Sequence, residues 1–108
     1  MKKYPLYDNL LKDVTDTDLT ITQKRILIKR IPKIDKYGHE LIYALIRMYQ
    51  YENKEENTSF TLPYNGEYKD DNIFFDIDKL PNKLKQILFK FSGIHVDKMK
   101  EEKEILRQ

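Results

Sequence analysis

The chain has no cysteine and no tryptophan, and among its 108 residues there are only three glycines and four prolines. Without cysteine there is no disulfide, no zinc-thiolate or iron-sulfur ligation and no thiol nucleophile, and an intracellular setting is expected. Three scattered glycines leave no phosphate-cradling loop. No apolar run approaches the roughly 18 residues of a membrane span, and the opening MKKYPLYDNLLKD lacks the apolar stretch of a secretory signal. Neither secretion nor membrane insertion is expected. Serine occurs only as Ser59 and Ser92, in no nucleophile-elbow motif.

What is present suits one folded domain in water. Hydrophobic residues make up 40% and include eight Tyr and five Phe, enough for a core, while 35% charged residues leave a solvated surface. The net charge of +2 conceals an uneven distribution. Residues 20 to 36 carry six basic residues against one acidic, residues 52 to 78 two basic against eight acidic, and residues 79 to 108 eight basic against four acidic. An acidic middle between basic flanks fits either solvated helix faces with an acidic loop or a docking strip for a basic partner.

Residues 1 to 19 show no sustained period and read as an N-terminal arm, partly docked. Thr20 or Thr22 can cap a first helix, with Gln23 placed for a capping box on Thr20, and Pro32 ends it within about a turn. Leu27, Ile28 and Ile31 are expected inward, and Lys24, Arg25, Lys29 and Arg30 mostly outward. Asp35 can cap a second helix with the stripe Leu41, Ile42, Leu45, Ile46 and Tyr49. Residues 59 to 64 alternate as a short edge strand before Asn65-Gly66, a hairpin-turn dipeptide, and are expected to pair with part of 67 to 77, with Phe60 and Leu62 toward the helices. Residues 73 to 78 form the second strand expectation, with Ile73, Phe75 and Ile77 on one face and Phe74, Asp76 and Asp78 on the other. Pro81 opens a third helix with the stripe Leu84, Ile87, Leu88 and Phe91, which Gly93 can kink. The expected fold is α+β and mainly helical: a three-helix domain over 20 to 96, a small antiparallel β-hairpin between its second and third helices, and a charged helical tail over 97 to 108.

Catalytic chemistry is poorly provided for, and an enzyme is not expected. His39-Glu40 resembles the start of a zinc-protease helix, but that motif needs a second histidine at position 43, which is Tyr43. Asp70, Asp71, Asp76 and Asp78 lack EF-hand spacing. Neither a metal nor another cofactor is expected.

The run Gln23-Lys24-Arg25-Ile26-Leu27 through Ile31, Lys33 and Ile34, then Ile42, Leu45 and Ile46, then Asp70-Asp71-Asn72-Ile73-Phe74-Phe75-Asp76-Ile77-Asp78 with Leu80, Leu84 and Leu88, resembles the extraterminal domain of bromodomain proteins. The resemblance covers about residues 20 to 92, and NIFFDIDKL is its most specific piece. It implies a peptide-binding module that takes a basic amphipathic segment of a chromatin regulator or viral protein as an added strand. The implied site is Ile73, Phe74, Phe75, Asp76, Ile77 and Asp78, flanked by Asp70 and Asp71. Phe74 departs from the family, which has an acidic residue in mid-strand, and residues 47 to 72 form a longer connection than the family has. No bromodomain accompanies the segment, so a free-standing adaptor is implied. The Lys, Asn and Ile bias suggests an A- and T-rich genome and makes a viral source plausible, which would place the protein in the nucleus, a viral factory or the virion.

Two rival readings follow from the residues themselves. The basic first helix, through Lys24, Arg25, Lys29, Arg30 and Lys33 with Lys36, offers phosphate contacts for nucleic acid. A structural virion or assembly component would instead use Tyr64, Tyr68 and Phe74 as contact anchors.

Overall fold

The computed structural model describes residues 5 to 12, 14 to 53, 62, 64 and 66 to 107. The fold is α+β and mainly helical, with four helices and one two-stranded antiparallel sheet among these residues. Helix α1 spans Pro5–Leu11, α2 Ile21–Arg30, α3 Lys36–Glu52 and α4 Asn82–Arg107; strands β1 and β2 span Glu67–Lys69 and Asn72–Phe74. Short 3-10 turns follow α2 (Ile31–Lys33) and precede α4 (Ile77–Lys79). The three expected helices are α2, α3 and α4, and the hairpin lies between the last two.

The helix starts follow from their caps. The Thr20 hydroxyl accepts from the Gln23 amide at 3.0 Å, and the Gln23 side chain returns the contact to the Thr20 amide at 2.9 Å, the reciprocal box the spacing implied. Asp35 accepts from the Gly38 amide at 2.8 Å and starts α3. Pro32 sits inside the 3-10 turn that closes α2, where its missing donor is harmless. The Pro81 carbonyl accepts from the Lys85 amide and so leads into α4.

One core unites the chain. Leu84 and Ile87 of α4 are fully buried, and Leu27, Leu45, Ile46, Tyr49, Leu80, Leu88 and Phe91 pack around them. The arm takes part: α1 packs on α4, and Leu10 and Leu19 belong to the same cluster. Asp18 anchors it further. Its carboxylate accepts from the buried Lys85 ammonium at 2.6 Å and from Lys24 at 3.0 Å, and Lys24 also reaches Asp78 at 2.9 Å. The Lys85 and Lys24 ammonium groups hold the Asp18 carboxyl down to about 2. A carboxylate depressed on folding stabilises above its ordinary pKa and loses that contribution as pH falls through the folded value. Thermal stability should therefore fall between about pH 4 and pH 2, and Asp18→Asn should flatten that decline while lowering stability at neutral pH; an unchanged acid profile would contradict the Asp18 linkage.

Several elements differ from expectation, each for a local reason. The second strand ends at Phe74 instead of Asp78, because the Asp76 side chain accepts from the Asp78 amide and turns the chain into the 3-10 turn at Ile77. The hairpin turns at Asp70-Asp71, not at Asn65-Gly66: both aspartates have positive φ (53° and 62°), whereas no glycine does. Gly66 serves close approach instead, since a Cβ there would stand 2.6 Å from the Phe75 ring. The expected strand partner 59 to 64 lies largely outside the described residues, Phe60 included; Tyr64 has φ 53° and is not in a strand, and the partner of β2 is Glu67–Lys69. Ile28, expected inward, is 56% exposed because α2 buries only a narrow line through Leu27.

Helix α4 runs through Gly93 without a break into the charged segment, and residues 100 to 106 are exposed. Gly93 leaves room for Arg30, whose guanidinium would lie 3.2 Å from an added Cβ. Arg30 donates to the Phe89 carbonyl at 3.0 Å and the Ser92 hydroxyl at 3.2 Å and lies over the Phe89 ring.

Candidate functional site

The hairpin stands away from the helices and leaves a groove of about 900 Å³ between itself and the α2–α3 corner. Leu27, Ile28, Ile31 and Pro32 form one wall, and Ile42, Tyr43 and Ile46 with Leu80 and Leu88 form the floor. The opposite wall is Tyr68 and the continuous run Asp71 to Phe75, followed by Ile77. Lys36, His39 and Glu40 supply the charge on the helix side.

Local sequence explains this wall. Left-handed backbone is tolerated by Asp, and two such residues in succession make a two-residue type I′ turn whose twist suits a tight hairpin. The Asn72 side-chain amide donates to the Asp70 carbonyl at 3.2 Å and braces it. The resulting register pairs Lys69 with Asn72, Tyr68 with Ile73 and Glu67 with Phe74. In such a hairpin the pair closing the turn exchanges both backbone hydrogen bonds, so the next pair, Tyr68 and Ile73, points its N–H and C=O groups outward. Among the described residues nothing meets the Ile73 groups on the outer edge of β2. Side chains alternate along a strand, so a wall made of five consecutive residues is bounded by the strand's edge as well as by one of its faces.

The inner face continues below the strand. Phe75 is half-buried, with its ring 6.5 Å from that of Tyr43, and Ile77 packs on the core. Phe74, next to Ile73 along the strand and so on its other face, is 54% exposed and still borders the groove at the strand's edge. Ile73 is exposed as well, at 37%, so burial sets Phe75 and Ile77 apart from Phe74 but does not set Ile73 apart.

The sequence-derived site residues divide accordingly. Ile73, Phe74, Phe75 and Ile77 line the groove together with Asp71. Asp76 and Asp78 do not: Asp76 is committed to capping the 3-10 turn and Asp78 to Lys24. Both are exposed, as expected of outward residues, but neither lies on the strand. Asp70 and Asp71 form the turn and are exposed, and no ion pair involves them among the described residues. Tyr43 and His39 were missed as site residues, and Tyr68 and Lys36 had entered only through the rival readings; Tyr43 adjoins the Ile42 stripe, which was the available clue.

The basic first helix is divided as well. Arg25, Lys29 and Lys33 are exposed, but Lys24 lies between Asp18 and Asp78 and Arg30 is laid along α4. With Lys36, also exposed, that leaves four cations, a weak phosphate-binding face, so binding of duplex DNA should disappear by about 0.15 M salt in a fluorescence-anisotropy titration; retention at that salt would favour nucleic acid as the partner.

Both histidines serve α3. His39 donates through Nε2 to the Ile31 carbonyl at 2.7 Å; His95, buried and stacked on Phe91, lies 3.0 Å from the Asp35 carboxylate. The Gly38 amide and, second, His95 lower the Asp35 pKa. Among the described residues no three His, Asp or Glu side chains gather as a metal site would require, and no helix is long and apolar enough to cross a membrane.

No protein-family model and no solved structure matches the chain. The chain is similar to the uncharacterized protein 348R of invertebrate iridescent virus 6, with 28% identity over 91 residues covering 83% of this chain and 86% of that protein.

Proposed function

We propose that the chain is a non-enzymatic adaptor that binds a basic amphipathic segment of a partner protein as an added strand beside β2. The observation carrying this reading is the combination of an apolar groove with a strand edge along its wall that is unpaired among the described residues. An open edge offers main-chain hydrogen bonds to any extended segment, and alternate side-chain pockets decide which segment fits. The resemblance to extraterminal domains adds support, since they dock peptides beside the strand equivalent to residues 73 to 77. Asp71 and Glu40 line the groove with one cation, Lys36, and Asp70 adjoins Asp71 in the turn, a balance that favours a cationic segment, although Asp76 and Asp78 contribute less than their spacing suggested. The cysteine-free composition and the viral relative support an intracellular place of action, in the nucleus, a viral factory or the virion.

The test is a titration of the isotope-labelled protein with a synthetic ten-residue peptide of alternating lysine and valine, followed by amide chemical shifts. Shifts should concentrate at Ile28, Tyr43 and residues 71 to 75. Shifts confined to Arg25, Lys29 and Lys33, or none at millimolar peptide, would refute the assignment of the groove.

A further inference from the structure

The outer edge of β2 is very short. Of its three residues only Ile73 turns both backbone groups outward, so a docked strand gains one donor and one acceptor there. Main-chain pairing this limited fixes register but supplies little affinity, which must come from side chains. On the groove face Ile73 stands beside Tyr68, its cross-strand partner. On the other face are Phe74, more than half exposed, with its partner Glu67 at one end, and Asn72 with its partner Lys69 at the other, where the two exposed carboxylates of Asp70 and Asp71 outnumber the Lys69 ammonium.

Resting on the strand-addition reading above, we propose that the partner segment binds antiparallel to β2 and reads apolar, apolar, basic in three successive positions. Antiparallel pairing lets one partner residue exchange both bonds with Ile73 and is the slightly more stable arrangement. That central residue shares the sheet face of Ile73, so its side chain enters the groove and must be apolar. Its two neighbours fall on the opposite face. The preceding one lies opposite Phe74, where an apolar side chain covers the exposed ring, and the following one lies opposite Asn72, where a cation meets the Asp70-Asp71 turn. Phe74 therefore excludes the strictly alternating apolar and lysine pattern as the best ligand, and the acidic turn, not the strand, selects the charge.

Two capped peptides of identical composition separate the possibilities: Gly-Ser-Leu-Ile-Lys-Ser-Gly and its reverse, Gly-Ser-Lys-Ile-Leu-Ser-Gly. The first should bind the full chain at least tenfold tighter, with the Ile73 amide shifted. Asp70→Asn with Asp71→Asn keeps the positive-φ turn, since Asn accepts that backbone, and should reduce the preference for Lys over Glu at the third position severalfold. Equal binding of the two peptides with the Ile73 amide shifted would overturn the register and orientation while leaving strand addition in place. Absence of any shift at Ile73 with both peptides, and with the alternating decapeptide, would overturn strand addition itself. An undiminished Lys preference in the double variant would remove the turn from the recognition.

Discussion

Gly38→Ala should lower the stability of the protein by about 2 kcal/mol or more, with a fall in Tm on the order of 10 °C. Ordinarily the change from glycine to alanine inside a helix gains about 1 kcal/mol, so the sign is diagnostic. Gly38 is buried in the first turn of α3, and a Cβ there would collide with the Ile34 side chain and stand 2.7 Å from His95 Nε2. Ile34 and His95 are both buried and cannot retreat cheaply; His95 is also held by Asp35 and by stacking on Phe91. The junction matters for the groove as well, because the same turn of α3 carries Lys36, His39 and Glu40. Thermal unfolding followed by circular dichroism checks this, and an unchanged or raised Tm would contradict the close contact of α3 and α4.

Ile73→Pro should abolish detectable peptide binding, a loss of at least tenfold, while leaving the protein folded. Proline is tolerated on an edge strand wherever its missing N–H would face away from the ladder, and the pairing of Tyr68 with Ile73 puts position 73 in that class. Its ring would remove the single outward donor and obstruct the approach of another strand. Ile73→Val keeps the donor and most of the groove-facing surface, and should bind within about threefold of the native protein. Equal loss in both variants would mean that the Ile73 side chain, not the backbone edge, carries the interaction.

The helices were largely legible in the sequence because their signals are local. The Thr20 and Gln23 box, the Asp35 cap and the stripes on α3 and α4 each depend on residues within a few turns. The strand region was less legible, since several adjacent signals compete there. Asn65-Gly66 is the stronger hairpin dipeptide, yet the chain turns at Asp70-Asp71, where Asn72 braces the turn and the flanking residues fall into register. Asp76 and Asp78 continued an alternating pattern but were diverted by a capping bond and by Lys24, a partner 54 residues away that no local pattern could supply. The same distance in sequence hid the roles of Asp18, Arg30 and His95, each of which joins elements far apart in the chain. The groove was visible only through one wall, residues 73 to 78; its other side required knowing that the start of α3 faces the hairpin.

The central claim is that β2 presents an open backbone edge that a partner strand closes, and hydrogen exchange at the Ile73 amide tests it most directly. In the free protein this amide should exchange nearly as fast as an unstructured one, while the Asn72 and Phe74 amides, paired to β1, exchange more slowly. At saturating Gly-Ser-Leu-Ile-Lys-Ser-Gly, protection at Ile73 should rise at least tenfold with little change at Asn72 and Phe74. Protection of Ile73 already in the free chain, or none gained with the peptide bound, would contradict it.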